Sequence, residues 1–164
     1  DNEIGSCGKI DCHQGKGKLH RAFSVFLFAP DGRVLIQQRN TNKTLWGGYW
    51  ANSCCSHPRL GETTDNAARR RVREELGVDC DLRYLYKFVY HAEFGDAGSE
   101  YENCWVFAGH VDGQLDVDNE EISATRFVTP EELTADIAAN PDIYSPWLKL
   151  EWERIRQEFL EDLI

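Results

Sequence analysis

The chain has 164 residues with 28 acidic and 18 basic side chains, a formal net charge of -10 and 41% hydrophobic residues, enough for one domain on a core that needs no staple. No stretch approaches the ~18 to 20 uninterrupted apolar residues of a membrane span, and the N-terminus lacks the basic start and apolar run of a signal peptide, so a cytoplasmic protein without a membrane partner is expected. A pI near 4.9 argues against a nucleic-acid surface and leaves any bound anion to a local basic pocket.

Residues 1–19, Gly- and Lys-containing and weakly patterned, read as an arm or loop. Ala22 to Phe28 is aromatic and β-branched, Pro30-Asp31-Gly32 is a turn and Val34 to Gln38 is a second strand, which together predict a hairpin. Asn40 to Tyr49 is a loop, and Trp50 to Cys55 a short extended segment before His57-Pro58. Thr63 or Thr64 caps a helix that runs to about Leu76, with Ala68, Val72 and Leu76 as its apolar stripe and Gly77 as its stop. Strands follow at about Tyr84 to Phe94, Asn103 to Val111 and Ile122 to Val128. Thr129-Pro130 opens a short helix, and a final helix spans about Pro146 to Leu163.

This order predicts an α+β or mixed-sheet α/β single domain, with the core at about 20–128 and C-terminal helices over 129–164. The six cysteines fit neither a disulfide miniprotein nor paired zinc knuckles, so reduced thiols are expected, with Cys7, Cys12, Cys80 and Cys104 as small hydrophobes. Cys54 and Cys55, adjacent on extended backbone, must point to opposite faces. His91 and His110 have no neighbours that suggest chemistry.

The central helix carries the first chemical pattern. Glu62, Arg70, Val72, Glu74, Glu75, Gly77 and Val78 resemble the later part of the Nudix signature, whose helix gathers carboxylates that hold divalent cations against a diphosphate. Two positions depart from it. Ser56 stands where the signature has Gly, and Arg71 where it has the first helix glutamate. A guanidinium in place of a carboxylate reverses the local charge, removes a metal ligand and supplies a fork for phosphate, which predicts a diphosphate-binding Nudix fold that has lost hydrolysis. Taken alone, the same charges also make an ordinary solvated helix face.

Just before that helix, Asn52-Ser53-Cys54-Cys55-Ser56-His57-Pro58 puts a thiol two residues before an imidazole, on one face of an extended chain. His13 and His20 precede the first strand, and Glu100 and Glu102 share an i, i+2 spacing. Three imidazoles and two carboxylates make an N/O set for Mn2+, Mg2+ or Zn2+.

The runs His20-Arg21-Ala22-Phe23-Ser24, Asn52 to Pro58, Arg69 to Gly77, Glu100-Tyr101-Glu102-Asn103-Cys104 and Ser145-Pro146-Trp147 are similar to type I isopentenyl-diphosphate delta-isomerase, the non-flavin, Nudix-fold enzyme of isoprenoid synthesis. The likeness runs from about Lys9 into the last helix, with a short arm before Lys9 as the mild departure. It implies transposition of a carbon–carbon double bond within a small diphosphate. Cys55 and Glu102 would be the proton-transfer groups, with Tyr90 beside Glu102, and Trp147 would face transient positive charge through its π system. His13, His20, His57, Glu100 and Glu102 would hold the first metal, and Glu75 a Mg2+ ion bridging to the diphosphate. Lys9, Arg39, Lys43, Ser56 and Arg71 would contact that diphosphate.

The resemblance implies a small-molecule substrate and no flavin, and a monomer is expected. A Nudix pyrophosphohydrolase is the alternative, but it needs the missing helix glutamate. A non-catalytic metal- or nucleotide-binding module would explain the ligands and leave the acid/base pair without a purpose. The acidic exterior and scarcity of lysine further suggest adaptation to a salty cytoplasm.

Overall fold

Residues His20–Phe28 form β1, in which every side chain from Ala22 onward is buried, as in a strand covered on both faces. In the computed structural model, which describes residues 1–164, β1 is the centre of a seven-stranded mixed sheet. It runs parallel to β6 (Ser99–His110) from the pair His20↔Glu102 to the pair Phe28↔His110. Beyond β6 lies antiparallel β5 (Leu82–Glu93). On its other edge β1 is shared: its end pairs with β2 (Val34–Arg39) and its middle with β4 (Cys54–Ser56). β2 in turn carries β3 (Trp50–Ala51) and β7 (Ile122–Val128).

Several sequence expectations change here. The predicted β1–β2 hairpin pairs only at Leu27↔Leu35 and Phe28↔Val34; beyond them β2 pairs with β3 at Gln37 and Gln38, while β7 runs along the whole of its other edge. The single extended segment at Trp50 to Cys55 is two strands with different partners, separated by Asn52 and Ser53. Those two buried side chains fill the fork between β1 and β2. Ser53 Oγ accepts from Leu27 N at 2.8 Å and donates to Leu35 O at 2.6 Å, and Asn52 Nδ2 donates to Val25 O and Cys54 O. Their hydrogen bonds replace backbone ladder bonds that the parting strands cannot make. The arm also contains a short helix, α1 (Lys9–His13), where a loop was expected. β6 starts at Ser99, four residues ahead of its sequence estimate, because the stretch 99–102 pairs with the end of β5.

The helices cover the two faces. In α2 (Thr64–Leu76), Thr63 Oγ1 accepts from Asn66 N, and Gly77 ends the helix at φ 69, the left-handed region that favours glycine. Its Ala67, Ala68, Val72 and Leu76 pack on Phe23, Val25, Leu27 and Leu35. The opposite face receives α3 (Pro130–Ala139), which opens with a Thr129/Glu132 capping box, and α4 (Pro146–Glu158). Leu148, Trp152 and Ile155 of α4 pack on Phe26, Phe28, Ile36 and Val106. Each such fully buried side chain contributes roughly 1.5–3 kcal/mol. The final helix stops at Glu158, earlier than expected, and the chain finishes in a 3₁₀ turn over Leu160–Asp162. A third cluster, in which Ala22, Leu45, Trp46, Tyr90, Cys104 and Trp147 meet, closes the end of the α4 face where the chemistry-bearing residues gather.

Candidate active site

Strand alternation decides which residues share this end. β1 sends Ala22 and Ser24 to the α4 face and Phe23 and Val25 to the α2 face. Cys55 lies directly across from Ser24, so it shares that face, whereas Cys54, across from Val25, is packed against α2. The adjacent thiols therefore point apart, as their spacing predicts. On β6 the same face carries Glu100, Glu102 and Cys104; β5 adds Tyr90, the cross-strand partner of Glu102. Tyr90 Oη donates to Glu102 Oε2 at 2.6 Å.

The three predicted histidines and two glutamates converge. His20 opens β1 beside Glu102, and His57 follows β4. His13 ends α1, which can approach β6 because Gly98, at φ 142, has no Cβ to collide with the His13 carbonyl. One donor atom from each of the five residues falls within 4.8 Å of all the others, and the imidazole centroids are 4.8–5.1 Å apart. Backbone carbonyls orient two of the rings: His13 Nδ1 contacts Lys9 O at 2.5 Å and His20 Nδ1 contacts Lys18 O at 2.6 Å, which turns both Nε2 atoms inward. His13 Nε2 is 2.8 Å from Glu100, and His57 Nε2 is 2.9 Å from Glu102.

Burial pushes the His57 imidazole down to about 4, so it is neutral with a free lone pair at physiological pH. Burial also opposes ionisation of Glu102, yet the nearby His20 imidazole, 3.7 Å away, and hydrogen bonds with His57 and Tyr90 hold its carboxyl well below the usual range. Buried His20 Nε2 and His57 Nδ1 have no hydrogen-bond partner. Imidazole nitrogens, an ionised carboxylate and unsatisfied donor atoms at this spacing can hold a metal ion.

A cavity opens beside this cluster. Cys55, Tyr90, Glu102 and Trp147 line it together with Lys9, Arg39, Lys43, Ser56, Arg71 and Glu75. The sequence-selected catalytic and diphosphate candidates thus meet in one place, although they come from α1, β2, the loop after it, β4, α2, β5, β6 and α4. Cys55 and Glu102 approach from strands on opposite sides of β1. Trp147 is buried and donates Nε1–H to Asn52 Oδ1 at 3.0 Å. Arg39, the last residue of β2 and not part of the following loop, donates to Leu45 O and Trp46 O. Its guanidinium also lies 3.6 Å from Cys55 Sγ and 5.2 Å from the Trp147 ring centroid. Burial pushes the Cys55 thiol up to about 12, with Arg39 pulling the other way and Glu75 and Glu102 adding to the rise.

The diphosphate candidates are less bare than their sequence suggests. Arg71 Nε donates to Glu75 Oε1 at 3.0 Å, and the same guanidinium reaches Glu121 at 3.3 Å. Lys43 is also paired with Glu121. Burial raises the pKa of Glu75 against the pull of Arg71. Glu121, which lies just before β7, was not singled out in the sequence, because an acidic residue in the acidic run 116–121 carries no spacing signal. Ser24 is a lone polar residue in an apolar strand, and Glu151 is one of several charged residues along the last helix, so neither carries a spacing signal. The six cysteines are all free; Cys7 is exposed, whereas Cys104 is buried in the third cluster as a small hydrophobe and also contacts Ser24 and Glu151. His91 and His110 make ordinary contacts with the carbonyls of Lys16 and Leu163.

The NUDIX domain family matches residues 18–148. A protein of Aromatoleum aromaticum named isopentenyl-diphosphate Delta-isomerase 2 is 43% identical over 94% of this chain and 82% of its own length. One of the same name from Photorhabdus laumondii subsp. laumondii is 46% identical over 91% of this chain and 84% of its own length. The chain belongs to the isopentenyl-diphosphate Delta-isomerase family of NUDIX proteins. Among solved structures, the Deinococcus radiodurans protein DR0079 superposes with a TM-score of 0.76 at 25% identity, covering 97% of this chain and 94% of that one. A MutT protein from Methanosarcina mazei Go1, at 16% identity and TM-score 0.69, shares the fold and covers 85% of this chain and 94% of its own.

Set in this family, Arg71 is a Nudix-helix position that joins a basic side chain to the retained Glu75. The mixed sheet with helices on both faces agrees with the fold class expected from the order of elements. No helix of the isomerase-family chain is long and apolar enough to cross a membrane.

Proposed function

We propose that this chain converts isopentenyl diphosphate to dimethylallyl diphosphate for isoprenoid synthesis, as a cytoplasmic monomer that uses no flavin. One observation carries the reading: a thiol and a carboxylate, Cys55 and Glu102, line a single cavity from opposite sides of β1, together with aromatic and cationic side chains. Moving the double bond adds one proton at the terminal methylene and removes one from the carbon next to the diphosphate-bearing end, so atoms and charge balance without an external redox partner. Two proton-transfer groups are required, and Cys55 and Glu102 are assigned to them, with the Tyr90 hydroxyl donating to the Glu102 carboxylate.

An alkene is a very weak base, so the transition state carries tertiary carbocation character. Trp147 presents its π face to that charge, and burial of the inner cavity excludes water that would trap it. Lys9, Arg39, Lys43, Ser56 and Arg71 anchor the diphosphate and thereby fix the alkene between the proton-transfer groups. A divalent ion, Mn2+, Zn2+ or Mg2+, held by His13, His20, His57, Glu100 and Glu102 would supply Lewis acidity that sharpens the Glu102–Tyr90 pair. Glu75 would hold the Mg2+ that accompanies the diphosphate.

The pyrophosphohydrolase alternative shares the anion site but lacks the first helix glutamate, Arg71 standing in its place. Incubation with isopentenyl diphosphate and Mg2+, followed by quantification of dimethylallyl diphosphate and released phosphate, separates the two. Isomer without phosphate is expected; phosphate without isomer would reject the assignment.

A further inference from the structure

Behind Ser24, which lines the cavity, lies a carboxyl group that the proposed reaction does not use. Glu151 is on α4, one turn beyond Trp147, and is 0% exposed in an otherwise apolar stripe. Its Oε1 contacts Cys104 Sγ at 3.5 Å, and the same thiol contacts Ser24 Oγ at 3.5 Å. Its Oε2 is enclosed without a hydrogen-bond partner. Ser24 lines the cavity and is the direct cross-strand partner of Cys55, which places their Cβ atoms about 4.5–5.5 Å apart on one face. The buried carboxyl, the Cys104 thiol, the Ser24 hydroxyl and the Cys55 thiol therefore form a file running from α4 into the cavity.

Resting on the isomerase reading above, we propose that Glu151 is a positioning residue whose carboxyl donates its proton to a hydrogen bond with Ser24, turning the Ser24 hydroxyl toward Cys55 to stabilise its thiolate. Whichever proton transfer comes first, Cys55 must pass between thiol and thiolate, and a buried thiolate without a donor is costly. The direction of the file depends on the charge of Glu151. Neutral, it donates to Ser24 and leaves the Ser24 O–H for sulfur. Ionised, it only accepts, draws the Ser24 O–H to itself and adds a negative charge behind Cys55.

Burial favours the neutral form, raising the Glu151 carboxyl to about 8, with Ser24 and Cys104 opposing the rise and Glu102 adding to it. The titratable and charged groups around Glu151 are Glu102 and Cys104 on β6, Cys55 on β4 and Tyr86 on β5, whose hydroxyl donates to the Glu151 carbonyl at 3.2 Å. Arg154 of α4 lies over the Tyr86 ring, away from the carboxyl file, 4.0 Å from the centroid.

The test is kcat and KM for isopentenyl diphosphate, from about pH 6.5 to 9.5, in the metal-loaded full chain and its Glu151→Leu and Glu151→Gln variants. Glu151→Leu should lower kcat by about tenfold or more and leave KM within about threefold, since Glu151 itself does not line the cavity that holds the diphosphate anchors. The Gln amide can still donate to Ser24, so Glu151→Gln should restore most of kcat near pH 7. Its profile should also lack the decline that the wild type shows above about pH 8. The proposal is overturned if Glu151→Leu keeps the wild-type kcat, if the Gln variant is as impaired as the Leu variant, or if both alkaline declines coincide. Should the Leu variant not fold, Ser24→Ala takes its place: a similar kcat loss is expected, and an unchanged kcat would overturn the proposal. A wild type that makes no dimethylallyl diphosphate would refute the isomerase reading instead.

Discussion

Glu151→Gln should also stabilise the protein, in a way that depends on pH. The carboxyl of Glu151 is raised from an ordinary 4.5 to about 8 by burial. A raised carboxyl favours the folded state fully only below its unfolded value; stability is lost as pH rises toward the folded value and levels off above it. At about 1.36 kcal/mol per unit, the loss near pH 7 is roughly 3 kcal/mol, rising to about 5 kcal/mol above pH 8. Glutamine removes this term, while an amide hydrogen left without an acceptor costs about 1 kcal/mol. The net gain is then about 2 kcal/mol near pH 7, a rise in Tm of roughly 4–8 °C for a chain of this size. Near pH 5 the gain should vanish. Paired denaturant and thermal unfolding of wild type and variant at pH 5, 7 and 8.5, with metal content matched, would measure this slope. A stability difference that does not change with pH would show that Glu151 is ionised in the folded protein, and the argument from burial would fail.

Cys55→Ala and Glu102→Gln should each abolish formation of dimethylallyl diphosphate while circular dichroism shows the fold retained; near-wild-type turnover in either would reject the role given to that residue. Arg71→Glu should raise KM by about tenfold or more through loss of a charge-assisted phosphate contact, and no hydrolysis is expected to appear, since Ser56 also departs from the hydrolase signature. Chelation should lower Tm, and returning Mn2+, Zn2+ or Mg2+ should restore it, by about 2.7 kcal/mol of stability at one hundred times the dissociation constant. A Tm insensitive to chelator would count against a metal held by His13, His20, His57, Glu100 and Glu102.

What the sequence made legible follows from range. The cap at Thr63, the stripe Ala68–Val72–Leu76 and the stop at Gly77 are local signals within one helix, and α2 forms where they place it. The opposed directions of Cys54 and Cys55 follow from strand alternation alone. Pairing is not local. Val34 to Gln38 reads as the second arm of a hairpin because the turn before it is sound, yet most of its hydrogen-bonding edge goes to β7, some ninety residues later. The break at Asn52–Ser53 depends on a fork between two other strands, which no window around those residues contains. The site shows the same division. Histidines and glutamates at suggestive spacings stand out, whereas Glu121, Ser24 and Glu151 acquire meaning only from neighbours far along the chain.

The electrostatics of the cavity refine what a net charge of -10 implies. Lys9, Arg39, Lys43 and Arg71 do gather around one cavity in an acidic molecule, as an anion site requires. Two of them are already engaged: Lys43 with Glu121, and Arg71 with Glu75, Glu74 and Glu121. These carboxylates hold flexible cationic side chains in position, which lowers the entropy lost when a ligand binds, but they also cancel part of the positive field. An isoprenoid diphosphate carries more negative charge than the partly neutralised cluster can match. A Mg2+ ion entering with the diphosphate at Glu75 would close that gap and draw Glu75 away from Arg71, freeing the guanidinium for phosphate. On this account the charge reversal at Arg71 does not simply delete a metal ligand from the Nudix helix. It makes Arg71 and Glu75 a mutually neutralising pair that a metal–diphosphate complex would separate, in which case anion binding and metal binding would reinforce each other at one turn of α2.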